Sequence, residues 1–337
     1  MKSQICSLIL VVAFVSSSIA QGIRPENNLA QGQGATLIPS LGTGSSQYAN
    51  TIVDVPGTDK SIMFFCRNTK LSGVQRDRIW RTESKESSAD WQHPAPVIQN
   101  EDSADTSAID DLSCGPTVIN INHIWHMYYQ VANRRMPVTM EVWHAISNDT
   151  YALHWTKLGR VDDLAREKFG GIVSSVSPVF ADGKLYFYIL GKRGQLFRML
   201  SKDGYHFTNS ETLKSPPSST GRVTYSDGIY YFALGYDPSG TRQPPTHILL
   251  SYSRDGTLFE HCRDLTTAVL QKFPDLHYFQ WPYFDPSRGL LYFSGSPEFP
   301  KRKAWESQGR IVVYADRTYL SPPSNSDCPR DTKEQSQ

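Results

Sequence analysis

The side chains best able to move protons or hold metals are scattered in this sequence. His123, His126, His144 and His154 fall in one stretch, but their spacing matches neither a helical zinc pair nor a Cys-His finger, so no metal site is expected. If that stretch is strand, His126 and His144 are cross-strand neighbours. Asp182 and Asp227 each precede a glycine and Asp285 precedes Pro286, in segments that read as turns. Turn aspartates bond to nearby backbone and need no catalytic explanation. Asp54, Asp110, Asp111 and Glu298 remain as acids that a shifted strand assignment could bring to a site. There is no Gly-x-Ser-x-Gly elbow, Walker loop or dinucleotide fingerprint, so no cofactor is expected. Arg134-Arg135 and Lys301-Arg-Lys303 read as solvated loop charges.

The elements that would position any site are short strands in a repeating order. Segments 61–66, 125–131, 184–190, 229–234 and 290–294 are rich in aromatic and β-branched residues, and their starts lie 64, 59, 45 and 61 residues apart. Most follow a shorter strand and a tight turn: 116–119, 178–180 before Asp182-Gly183, 223–225 before Asp227-Gly228, and 282–284. Asp-Gly between strands is a hairpin signal because the turn requires positive φ. A third strand follows (142–146, 196–200, 248–252, 311–314), then polar turns at Ser147-Asn-Asp149, Ser201-Lys-Asp-Gly204 and Ser253-Arg-Asp-Gly256. Outer strands begin near His154-Trp155, His206-Phe207 and Leu258-Phe259. Four strands per unit and five units predict an all-β, five-bladed β-propeller. A β-sandwich is the alternative, but it does not ordinarily repeat a four-strand order.

The chain has 337 residues, 39% hydrophobic, with 34 basic and 33 acidic side chains and a net charge of +1. That balance offers no footprint for nucleic acid or a membrane surface. Residues 1–20 read as a secretory signal: a basic start, an apolar run from Ile5 to Val15, and Ser18-Ile19-Ala20 as a cleavage site. The run is too short for a bilayer span of ~20 residues. Residues 21–47 form an N-terminal segment able to supply a ring-closing strand, 48–320 the propeller, and 321–337 a tail. Cys66, Cys114, Cys262 and Cys328 survive cleavage of the signal, and an even count in an oxidising compartment predicts two disulfides. Cys66 with Cys114 and Cys262 with Cys328 are the expected pairs; buried free thiols are the alternative. Asn148-Asp149-Thr150 is a glycosylation sequon in a predicted turn.

The segment from Cys114 to Gln130 (CGPTVININHIWHMYYQ), followed by Ala145-Ile-Ser-Asn-Asp149 and Leu153-His-Trp155, resembles a blade of the propeller glycosidases of the arabinanase, β-xylosidase and invertase type. The likeness covers most of Tyr48 to Tyr319 and implies the propeller fold. It also implies three convergent carboxylates, because one must protonate the leaving oxygen while another activates water or attacks. At the matching blade starts stand Asn50, Ser177 and Thr220, none of which can act as a carboxylic acid or carboxylate.

First strands line a propeller's axis, so their starts predict the pocket: Tyr48, Asn50, Gly115, Ser177, Thr220, Arg222, Gln280 and Trp281, with Tyr225 and His277 near. That set is neutral-polar and aromatic with one cation, and suits a flat oxygenated small molecule. Inter-blade packing is the alternative role for its aromatic members. A secreted, disulfide-bearing propeller without the acids is similar to the fungal hetero-Diels-Alderases of tropolone sesquiterpenoid biosynthesis. This resemblance implies a pericyclase with Arg222, Tyr48 and Gln280 as catalytic donors, and with Asn50, Ser177, Thr220, Tyr225, His277 and Trp281 contacting substrate. Glycoside hydrolysis and non-catalytic carbohydrate binding are the competing functions, and the sequence leaves the oligomeric state open.

Overall fold

The computed structural model describes residues 33–37, 47–71, 74–85, 91–98, 112–133, 139–238, 245–296 and 310–316. Strand β1 spans Gln33–Leu37. The first blade comprises β2 (Gln47–Asp54), β3 (Lys60–Leu71), β4 (Val74–Lys85) and β5 (Gln92–Pro96). Blade two is β6 (Leu112–Ile121), β7 (Ile124–Asn133), β8 (Thr139–Ser147) and β9 (Thr156–Arg160). Blade three is β10 (Ser175–Ala181), β11 (Lys184–Leu190), β12 (Leu196–Ser201) and β13 (Phe207–Thr212). Blade four is β14 (Thr220–Ser226), β15 (Ile229–Tyr236), β16 (His247–Ser253) and β17 (His261–Asp264). A helix α1 (Thr266–Lys272) leads to blade five: β18 (Tyr278–Asp285), β19 (Leu290–Ser296) and β20 (Arg310–Asp316). Each blade is a four-stranded antiparallel sheet, and β1 completes the fifth by pairing with β20 from Gln33↔Asp316 to Leu37↔Val312. The chain is a five-bladed β-propeller.

The hydrophobic alternation fills the spaces between blades. Five larger clusters of buried apolar side chains occur, one for each pair of neighbouring blades. Phe64 and Trp125 belong to the space between blades one and two, and Phe232 and Phe259 to that between three and four. Ring closure between blades five and one buries Met63, Phe65, Tyr292 and Ile311 together. Arg288 in the β18–β19 turn also bonds Asp285, and crosses to Asp54 and Ser61 of blade one. Cys66 on β3 is disulfide-bonded to Cys114 on β6, joining blades one and two with a Cα–Cα distance of 5.3 Å. Cys262 is also held in a disulfide; Cys328, its expected partner, lies outside the described residues, as do the signal segment 1–20 and the tail 321–337. Among the described residues no helix is long and apolar enough to cross a membrane.

The predicted strands are correct in kind and short in extent. Inner strands begin three to four residues before the expected starts, because Pro116, Pro178 and Pro282 are carried within them. A proline donates no ladder bond, and an inner strand has a free edge toward the axis where none is required. The outer strand expected near Leu258-Phe259 begins at His261 instead. Leu258 makes a parallel bridge to Lys214, and the Phe259 N–H donates to the Lys214 carbonyl at 2.9 Å while its ring enters the inter-blade core. The two Asp-Gly turns have positive φ at both residues, 52° and 71° at Asp182-Gly183, and 52° and 76° at Asp227-Gly228. Asn148 is exposed in the β8–β9 turn.

Candidate functional site: a cationic axial cavity

Inner strands β2, β6, β10, β14 and β18 pack side by side around the axis. Three of them slip register by one residue at the same level: between Tyr48 and Thr51, Cys114 and Thr117, and Gln280 and Tyr283. Each slip contains a residue with positive φ: Ala49 at 53°, Gly115 at 61° and Trp281 at 51°. A bulge re-aims the side chains that follow it. The first residues past the three slips, Thr51, Thr117 and Tyr283, all line one axial cavity of about 150 Å³.

Ile52 and Val118 follow Thr51 and Thr117, and the remaining walls come from blades three and four, which run without a slip: Ser177, Pro178, Val179 and Phe180 on β10, and Arg222, Val223, Thr224 and Tyr225 on β14. Arg222 is buried at 2% exposure, whereas Phe180 is 64% exposed. The cavity therefore opens toward the hairpin-turn ends of the inner strands and narrows toward Arg222.

Arg222 reaches across the axis. Its Nη1 donates to the Thr117 hydroxyl of blade two and its Nη2 to the Ala49 carbonyl of blade one at 3.5 Å, while its Nε has no partner. Burial pulls its pKa down to about 10, with a smaller opposing effect of Tyr283, so the guanidinium stays charged at neutral pH. Burial raises the pKa of Tyr283, whose hydroxyl donates to the Ile52 carbonyl at 3.0 Å; the phenol stays neutral. Asn50 is fully buried and neither atom of its amide is bonded; Thr224 Oγ1 is likewise buried without a partner.

The residues nominated from sequence divide between levels of the ring. Ser177, Arg222 and Tyr225 line the cavity. Tyr48 and Trp281 pack with Ala49 against the Cys66–Cys114 bridge, nearer the strand starts. Gln280 is buried beside that slip, and Gly115 donates its N–H to Cys66 Sγ at 3.0 Å. Thr220 Oγ1 accepts from the Trp281 N–H at 3.1 Å and Ser177 Oγ from the Val223 N–H at 3.2 Å. Both hydroxyls thus tie neighbouring blades together. His277 is exposed, with its N–H donated to the Ser296 carbonyl. Thr51, Thr117, Thr224, Tyr283 and Phe180 escaped the sequence reading. The alternation Thr220-x-Arg222-x-Thr224 could have found Thr224, but a one-residue slip hides the faces of Thr51, Thr117 and Tyr283.

Among the described residues no carboxylate lines the cavity. Asp54 and Asp285 are paired with Arg288, and Asp182 accepts from the Tyr225 hydroxyl at 3.3 Å. Asp110, Asp111, Glu298, Arg134-Arg135 and Lys301–Lys303 lie outside the described residues. His126 and His144 are buried with ring nitrogens 3.0 Å apart, one on each of two paired strands, whereas His123 and His154 are exposed. Among the described residues no cluster of His, Cys, Asp or Glu could hold a metal ion.

No protein-family model and no curated protein matches the sequence. Solved structures do match in fold. A family 117 glycoside hydrolase of the marine bacterium Zobellia galactanivorans superposes with a TM-score of 0.61 at 10% identity, over 91% of this chain and 98% of that one. A β-xylosidase/α-arabinofuranosidase from a compost metagenome gives 0.58 at 10% identity, over 84% and 94%. A Bacillus subtilis arabinanase gives 0.54 at 12% identity, over 81% and 96%. The class this fold defines is thus the five-bladed propeller seen in those glycosidases. At such identities the likeness concerns the fold and carries no activity with it.

Proposed function

We propose that this chain is a secreted, non-hydrolytic propeller enzyme that orients small apolar reactants for a hetero-Diels-Alder cycloaddition in terpenoid secondary metabolism. The observation that carries the reading is the axial cavity, in which a buried arginine stands opposite hydroxyls and, among the described residues, no carboxylate. A cycloaddition needs no general base. It needs two reactants in near-attack geometry and a donor at the oxygen where charge develops. Arg222 supplies the donor. At about 150 Å³ the cavity holds one ring, comparable to cavities that take benzene. The second reactant would lie in the mouth against Phe180 and Tyr225. Tyr48 and Gln280, the other donors expected from the sequence, do not line this cavity, so Arg222 is the donor on which the reading rests. The Cys66–Cys114 bridge supports residence in the secretory pathway, where such bonds persist.

A second reading, glycoside hydrolysis, is favoured by the fold, since the three superposed structures are glycosidases. It requires two carboxyl groups ~5–10 Å apart across the site. Two assays separate the readings. With aryl arabinofuranosides and xylosides we expect no sugar release. With an ortho-quinone methide generated in situ and a terpene alkene we expect faster adduct formation with one stereochemical outcome, lost in Arg222→Met. Sugar release that disappears in Asp54→Asn would replace the cycloaddition reading with the hydrolytic one. Saturable sugar binding without turnover in either assay would leave a carbohydrate-binding propeller.

A further inference from the structure

The inner end of the axial cavity holds a cation that no carboxylate among the described residues neutralises. Arg222 bonds only to a threonine hydroxyl and a backbone carbonyl, both neutral, and among the described residues it forms no ion pair. Arg288, in the turn that closes the ring, shows the usual arrangement, with Asp54 and Asp285 both paired to it. A buried charge is costly unless it is paired, so an arginine left without a counter-ion points to one brought from outside. Its Nε has no partner, and the amide of Asn50, the residue following the carbonyl that Arg222 contacts, is likewise unbonded. The walls are mixed: Val118, Pro178, Val179 and Val223 are apolar, Thr51, Ser177, Thr224 and Tyr283 bring hydroxyls, and the mouth carries the exposed ring of Phe180.

A cationic end, walls that mix apolar side chains with hydroxyls, and room for one ring define an amphiphilic guest. We propose that the axial cavity binds an aryl monoanion, the carboxylate or phenolate oxygen of a single aromatic ring pairing with Arg222 while the ring lies between the β6, β10 and β14 walls. The inference rests on the cavity being the ligand site and not on any cycloaddition. Neutral sugars lack the charge this end requires, and an inorganic anion would leave Val118, Pro178, Val179 and Val223 without a partner.

Calorimetric titration of the full chain at fixed ionic strength tests it with three probes: sodium benzoate, benzamide and sodium nitrate. Benzoate is expected to bind about tenfold or more tightly than its neutral isostere, since charge-assisted bidentate bonds are the strong ones. Arg222→Met is expected to abolish that preference. Equal affinity for benzoate and benzamide would overturn the anion assignment while leaving the cavity as a ligand site. Nitrate binding as tightly as benzoate would overturn the aryl guest in favour of an inorganic ion. Absence of binding by either aromatic probe would sink both this inference and the proposed function's ligand site. Should Arg222→Met fail to fold, the benzoate–benzamide comparison on the unaltered chain decides alone.

Discussion

The Arg222–Thr117 contact is the most informative single interaction at the axis, because it joins blades four and two across the ring. The Thr117 hydroxyl accepts from the guanidinium and donates to the Val176 carbonyl at 2.6 Å. Thr117→Val therefore leaves two buried polar groups unpaired and is expected to cost about 1–3 kcal/mol in denaturant unfolding. Adding Arg222→Met removes the unpaired charge, so the double variant is expected to recover much of that loss; simple additivity of the two changes would refute the coupling. Of this pair, sequence showed Arg222, a lone cation on an inner strand. Thr117 was hidden because the bulge at Gly115-Pro116 shifts its face by one residue, a shift that no local pattern announces.

Among the elements, the packing of blade two on blade three contains a proton-sensitive pair. His126 on β7 and His144 on β8 are stacked against each other, with Tyr128 of β7 stacked on His144 and Tyr205 of the β12–β13 turn tilted over both. Burial lowers the pKa of His126 to about 4, opposed in part by Asp203 in the same turn; burial and then the neighbouring His126 lower that of His144 to about 3. In the unfolded chain both titrate near ~6.5. The unfolded state thus binds more protons at mildly acidic pH, and stability should be full above pH ~6.5 and decline as pH falls toward 4. His144→Phe should flatten that slope in a series of melting curves; an unchanged slope would exclude the pair as its source. Between blades one and two the Cys66–Cys114 bridge spans 48 residues of sequence. Replacing both cysteines by alanine is expected to cost about 2–4 kcal/mol in chemical denaturation. The spacing of aromatic strands made the blades readable, and the even cysteine count made a bridge expected. Helix α1 went unseen: its seven residues are short for a periodicity signal, and it is secured by Leu265, Ala268 and Val269 entering the core between blades four and five.

At the level of the whole molecule, closure of the ring depends on a strand distant in sequence from the blade it completes. β1 covers the edge of β20, and its removal would expose a row of unpaired backbone groups able to recruit another chain. A chain beginning at Gln47 is expected to unfold at lower temperature and to aggregate, as light scattering during heating would show; unaltered melting would mean that β1 contributes little. What the sequence determined by itself was the repeat: alternation with period two and Asp-Gly turns are local, and five copies of one pattern leave few architectures. Through the glycosidase resemblance it also led one to expect Asn50, Ser177 and Thr220 in the places of the acids. Tertiary structure alone decided that the cavity lies past the bulges toward the hairpin turns. It alone decided that Ser177 and Thr220 bond across blades, and that Arg222 has no counter-charge among the described residues. Each of these depends on how separate strands meet around an axis, and pairing across the ring is set by packing between blades that no short stretch of sequence encodes.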